Sequence, residues 1–268
     1  MSSSRSPVTP PPSVMRRIAI GLATFLLLLL VSMFGACALL SKPRPDGEVG
    51  PRADALAHSI ETAINKEAWA RTGAVRFTFG GRNRHLWDRQ RMLARVAWGG
   101  DKVVLLNLTT RNGLAYVKGG AQQVTGDAEK KLLSKAYASW INDTFWLNPL
   151  VKLFDDGVQR KIVTLPEGGN ALLITYNAGG LTPGDAYLWL LDQNGRPRAW
   201  RMWVSIIPIK GIESTWENWA TLPTGALVAT EHHMPLYNLR LSDVAAAAQL
   251  TDLEPGGDPF AALVQSGR

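Results

Sequence analysis

VRFTFGGRNRHLWDRQRMLARVAWGGDKVVLLNLTTRNGLAYVK, residues 75–118, is the stretch on which the fold turns. Val75, Phe77 and Phe79 alternate with Arg76 and Thr78, and Met92, Ala94, Val96 and Trp98 repeat the alternation. Successive side chains of a strand point to opposite faces, so this period marks strands with one apolar face. Gly80-Gly81-Arg82-Asn83, Gly99-Gly100-Asp101 and Asn112-Gly113 separate the runs. Connections this short leave no room for a crossover helix, so neighbouring strands must run antiparallel. The stretch predicts a β-meander.

Upstream, Leu56, Ile60, Ile64 and Trp69 recur at helical spacing, which predicts an amphipathic helix over Ala53–Trp69. Downstream, Leu132, Leu133, Ala136, Tyr137 and Trp140 predict a second helix over Asp127–Ile141, with Asp127 at its cap. Asn142–Asn148 breaks that period, and Pro149 is a helix terminator. Strands resume at Gln159–Leu165 and Ala171–Tyr176. Ala186–Asp192 and Arg198–Ile207 read as a hairpin over Asn194-Gly195, and Glu213–Trp219 and Ala226–Met234 as a last pair. Alanine-rich Ser242–Leu253 predicts a short helix. The expected class is mainly β (α+β), a single large curled antiparallel sheet or half-barrel of about eleven strands with helices on its concave face.

Cys37 is the single cysteine of the chain. Arg16-Arg17, an uncharged apolar run Ile18–Phe34 and the small pair Gly35-Ala36 precede it, the three parts of a secretory signal. The segment resembles the lipobox of bacterial lipoproteins, with Phe34 standing where that box usually has leucine. The resemblance implies diacylglycerol on the Cys37 thiol and a third acyl chain on its amine. Extended to Leu40, the run is also long enough for an uncleaved transmembrane helix, and plain cleavage is the third alternative. All three send the remainder across the inner membrane, and Met15 offers a second start. By resemblance to lipoprotein sorting, Ala38 after the modified cysteine favours the outer membrane.

The formal charge of +7 is partly the leader's: Arg5, Arg16 and Arg17 removed, 26 basic residues face 22 acidic ones. No run of five like charges occurs, so nucleic acid is not an expected partner. With no cysteine after Cys37 the domain has no internal disulfide and must stand on its core. All ten tryptophans lie beyond the leader, and their large apolar faces suit a thick core or a cavity wall.

The order helix, meander, helical insertion, hairpins resembles the lipoprotein-carrier superfamily, the LolA/LolB-like half-barrels. The residues that carry the likeness are Ala53–Trp69 feeding Val75–Phe79, the block Tyr187–Leu190, Asn194-Gly195 and Trp200–Trp203, and the closing Trp216–Trp219 with Pro223-Thr224-Gly225. Asn142–Leu147 is similar to a segment of uncharacterised secreted members. The resemblance implies an apolar cavity between sheet and helices that holds an acyl chain, in a protein that is itself a lipoprotein. Trp98–Lys102 departs from the receptor pattern, being short and lacking an exposed apolar residue.

These readings divide the chain into signal and lipobox (1–37), flexible tether (38–52), β domain (53–240), and short helix with disordered tail (241–268). The expected role is non-catalytic: an envelope lipoprotein, membrane-bound through its N-terminal lipid, that binds an apolar ligand such as an acyl chain or another lipoprotein's lipid, without a cofactor. A structural or interaction lipoprotein with a filled core is the alternative, and a β-sandwich sugar binder or hydrolase the third. The candidate lid or ligand-lining residues are Phe145, Trp146, Leu147, Leu150, Leu153 and Phe154, apolar residues crowded into an irregular segment. Glu231-His232-His233 is weak as a metal site because adjacent strand residues face opposite ways. His85 and Asp88 likewise diverge, and Asp155-Asp156-Gly157 reads as a turn. No phosphate loop or nucleophile elbow is present.

Overall fold

The computed structural model describes residues 12–268. After an N-terminal helix, α1 (Pro12–Leu40), come α2 (Pro51–Ala63) and α3 (Lys66–Arg71). The meander then forms as expected: β1 (Ala74–Phe79), β2 (Asn83–Asp88), β3 (Leu93–Trp98), β4 (Lys102–Asn107) and β5 (Gly113–Val117), with a short β6 (Gln122–Val124) added. Helix α4 (Gly126–Leu147) precedes β7 (Val158–Thr164), β8 (Asn170–Tyr176), β9 (Ala186–Leu191) and β10 (Pro197–Trp203). Then follow β11 (Ile212–Thr215), β12 (Glu217–Thr221), β13 (Leu227–Met234), β14 (Tyr237–Ala247) and two short helices, α5 (Leu250–Leu253) and α6 (Ala261–Gln265).

The class is α+β, but the expected single sheet is two. Nine strands pair in the order β12-β13-β14-β1-β2-β3-β4-β5-β6, and five in the order β11-β10-β9-β8-β7, with no closed barrel. The divide falls at Trp216, inside what alternation predicts as one strand, Glu213–Trp219. Before Trp216 the chain pairs with β10; after it, with β13. Polar groups bridge the break: the Thr215 hydroxyl accepts from His233 N at 2.9 Å, and the Thr215 carbonyl lies 3.1 Å from His232 Nδ1. Fourteen strands exceed the expected number because of this division, β6, and β14. Ser242–Ala247, expected to be helical, is the second half of β14, paired with β1 from Ala74↔Ala247 to Thr78↔Ser242 across a one-residue register shift. The alanines fit because β1 and the helices over it approach closely, and tertiary pairing outweighs helix propensity. The tail beyond it is not disordered: Phe260 and Leu263 are buried against Leu86, Leu93, Leu105 and Leu114.

The predicted opening helix is broken at Asn65, which takes a left-handed φ of 54° and caps α3 by accepting from Ala68 N at 3.3 Å. Its amide donates to the Gly225 carbonyl at 2.9 Å, so the break is fixed by the β12–β13 turn. Helix α4 begins at Gly126, leaving Asp127 in the first turn rather than at the cap, where its charge still suits the helix dipole. Its stripe Leu132, Leu133, Ala136 and Trp140 packs on Ala94, Val96, Val104 and Ala115 of the meander. Gly113 permits this closeness: a Cβ there would strike the Leu105 carbonyl and stand 2.8 Å from Leu133 Cδ2.

Residues 41–52 are not a free tether. Lys42 N donates to the Lys210 carbonyl at 2.8 Å, and Trp203 Nε1 to the Lys42 carbonyl at 2.8 Å. Further on, Glu48 forms an antiparallel bridge with Ile162 of β7. The segment thus runs as a strap from the β10–β11 loop to the far edge of the five-stranded sheet.

Candidate functional site

On the inner face of the five-stranded sheet, register brings Trp189 of β9 opposite Trp200 of β10, with Tyr187 two residues along. Trp216 completes a cluster, its ring 5.0 Å from Trp189 and 4.9 Å from Trp200. All three indoles are buried. This aromatic floor is covered by the end of α4 and the 3₁₀ turn Pro149–Lys152 that follows it. Phe145 lies 5.1 Å from Tyr187, 5.3 Å from Tyr176 and 5.9 Å from Trp200. Trp146 meets Trp200 edge-on at 4.8 Å and His232 at 5.2 Å. Leu150 and Leu153 are fully buried in the same cluster, beside Ala57, Ile60 and Ile64.

Five of the six predicted residues therefore meet on one face. Leu147 points instead into the neighbouring cluster of Trp69, Phe77 and Leu241. Phe154 is half-buried at the margin, stacked on His58 at 4.1 Å with the Arg160 guanidinium 4.2 Å from its ring. Cys37 belongs to α1 and takes no part in this face. The segment is a plug, and it is more regular than its sequence suggests, because α4 continues through Asn142–Leu147.

Asp143 explains the difference. It sits between Trp140 and Leu147 on the apolar stripe, where a carboxylate reads as a break in period. Yet it is buried, and Oδ2 accepts from Asn83 Nδ2 at 2.8 Å and lies 2.7 Å from His85 Nε2. Asn142 Nδ2 supplies Oδ1 at 2.9 Å. Three donors make the buried carboxylate tolerable. His85 stacks on Phe77 at 4.7 Å, and its Nδ1 has no partner. The expected divergence of His85 and Asp88 is explained by this pairing: Asp88 faces away and binds Arg91 at 2.6 Å. The His85–Asp143 pair, legible only as an acid at a core position of a helix, latches the plug-bearing end of α4 to β2.

Beneath the plug several polar atoms are left over. Nε1 of Trp189, Trp200 and Trp216, Nε2 of His232 and Nδ2 of Asn148 are buried without hydrogen-bond partners. Trp200 and Trp216 meet edge to face, their rings 75° apart, an arrangement aromatic pairs favour. Burial lowers His232 from its ordinary value to about 4, against a backbone hydrogen bond to Thr215 that acts the other way. It likewise holds the Tyr176 and Tyr187 phenols well above their ordinary value. All three are neutral at physiological pH.

Other expected features lie elsewhere. His233 is exposed and 3.7 Å from Glu217, while Glu231 pairs with Arg240, so the Glu231-His232-His233 run does not converge. Asp155–Gly157 is a turn, with Asp155 held by Lys152 at 3.1 Å. Among the described residues, no three His, Cys, Asp or Glu side chains gather as a ligand set. Two of the clefts among the described residues open away from the aromatic floor. One of about 380 Å³ is lined by Arg82, Asn83, Asn142 and Tyr237, and one of about 500 Å³ by Arg91, Leu250 and Asp258.

No protein-family model matches the chain, and no curated protein matches its sequence. Among solved structures it is similar to a DUF1329 family protein from Desulfovibrio piger, at 10% identity and a TM-score of 0.38, over 75% of this chain and 95% of that one. The N-terminal helix is the remaining functional feature. Val14–Leu40 spans 27 residues, and none of its most apolar window is buried by the domain. At 1.5 Å per residue that is about 40 Å, more than a bilayer's apolar core of about 30 Å. It fits a signal peptide or a membrane anchor, and so an envelope location.

Proposed function

We propose that the protein is a non-catalytic envelope protein, held at a membrane through its N-terminal segment, whose aromatic face binds an apolar chain when the Phe145–Phe154 plug withdraws. The observation that carries this reading is an aromatic plug seated on a floor whose buried polar atoms it leaves partly unpaired. Each unpartnered buried donor costs about 1–3 kcal/mol, so the closed state is less stable than a fully paired core would be. A linear acyl chain matches the apolar floor, and its polar end or entering water matches the orphaned indole and amide groups. Lipidation of Cys37 supplies the anchor in this reading. No nucleic acid or cofactor is invoked.

Protein extracted from membranes and analysed by native mass spectrometry tests the ligand. Acyl-chain adducts are expected, and a fatty acid carrying bromine should quench tryptophan fluorescence. Replacing both plug anchors, Phe145→Ala with Trp146→Ala, should tighten that quenching titration. The second reading, a structural or interaction domain, is favoured by one observation: the space between plug and floor is filled by side chains. Absence of adducts, with quenching unchanged in the double variant, would leave that reading alone.

A further inference from the structure

The way α1 joins the domain assigns a face to the membrane. The last turn of α1 is closed by Ser41, whose N and Oγ donate to the Cys37 carbonyl at 3.0 and 2.7 Å. The same Ser41 Oγ accepts from Lys210 N at 2.9 Å. Lys42 then pairs with Lys210, and Gly211 packs so tightly on it that a Cβ would stand 2.8 Å from Lys42 Cβ. The apolar helix is thus joined to the β10–β11 loop without a spacer.

That loop reads Ser205-Ile206-Ile207-Pro208-Ile209-Lys210, three isoleucines and a proline in six residues. It is not floppy: Lys210 Nζ donates to the Val204 and Ile207 carbonyls at 2.6 and 2.9 Å, and Ser205 N to Asp185 Oδ1 at 2.8 Å. Yet Ile206 is 75% exposed, beside Leu40 at 64% and Leu39 at 89%. Lys42 and Arg44, both exposed, follow at once. An exposed isoleucine on a rigid loop, continuous with an apolar span and flanked by cations, has the composition of an interfacial segment on an anionic bilayer.

We propose that the Ser205–Lys210 loop rests in the headgroup region of the membrane that holds the N-terminal segment, and that this contact fixes the orientation of the β domain. The inference depends on the anchor reading but on neither form of it. If Cys37 carries the lipid, Ser41 is four residues away, within about 14 Å of extended chain. If α1 spans the bilayer, Ser41 is the first residue outside it.

The test uses the full chain in vesicles of phosphatidylethanolamine and phosphatidylglycerol, with a fluorophore on Ile206→Cys or on Leu236→Cys. Leu236, 92% exposed in the β13–β14 turn, serves as the control. The parent chain, with Cys37 alone, gives the background. Nitroxide lipids should quench the label at 206 several-fold more than at 236, and aqueous iodide should do the reverse. Release of the chain from vesicles by alkaline washing overturns the anchor reading and this proposal together. Retention with equal iodide access at both positions overturns the loop contact and leaves the anchor standing.

Discussion

His232 illustrates how one residue is set by its surroundings rather than by its neighbours in sequence. Its ring is wedged between Trp216 at 4.4 Å and Trp146 at 5.2 Å, with only the Thr215 carbonyl to accept from it. The folded state therefore resists protonating it, while the unfolded chain takes up the proton near the ordinary pH of about 6.5. With the folded value depressed to about 4, stability is full above 6.5 and falls as pH drops between the two. The loss from this residue amounts to about 3 kcal/mol at the low end. Urea midpoints for the parent should decline across that window, and those of His232→Phe should decline less. Asp143 is the counterpart at the latch. Asp143→Ala leaves the buried His85 without its partner and should cost about 1–3 kcal/mol in denaturant unfolding. An unchanged midpoint would mean that the pair holds nothing.

At the scale of elements, α4 binds two different surfaces in series. Its first part, through Trp140, lies on the meander by way of Leu132, Leu133 and Ala136, and its last turn carries the plug. Phe145→Ala should destabilise by about 3–5 kcal/mol if the plug is permanently seated. It should cost markedly less if the seat is vacated readily, since the alanine then removes little that was always buried. Hydrogen exchange over 142–154, with and without the brominated fatty acid, checks the same point from the backbone; protection that ignores the ligand identifies a static plug. The meander was legible because its faces differ in polarity and its turns carry glycine. The same rule failed where a buried group is polar but satisfied, as at Asp143, and where small residues carry little pattern, as in Ser242–Ala247. Trp216 hid the division of the sheets because a bend between two partners leaves the alternation intact. The candidate residues were legible as an apolar surplus; their floor was not, because Trp189, Trp200 and Trp216 meet only through register and the crossing.

For the molecule as a whole, the decisive measurement is the mass of the mature N-terminal peptide. A tri-acylated Cys37 is the expected outcome. An intact peptide containing Leu26–Leu30 would instead make α1 a permanent span. Either result keeps the strap and the β10–β11 loop near lipid, whereas an unmodified, cleaved terminus removes both from it. The pairing of β14 with β1 has a consequence for how the protein is made. The first strand of the domain receives its second neighbour only when residues 241–247, more than 160 positions later, are available. As the chain is made, β1 to β6 can pair among themselves, but one border of that ribbon stays unsatisfied until the second half of β14 follows. An open border is a template for misassembly with another nascent copy. A chain so built cannot lock its first strand early, and the β1 border stays open until residues 241–247 reach it.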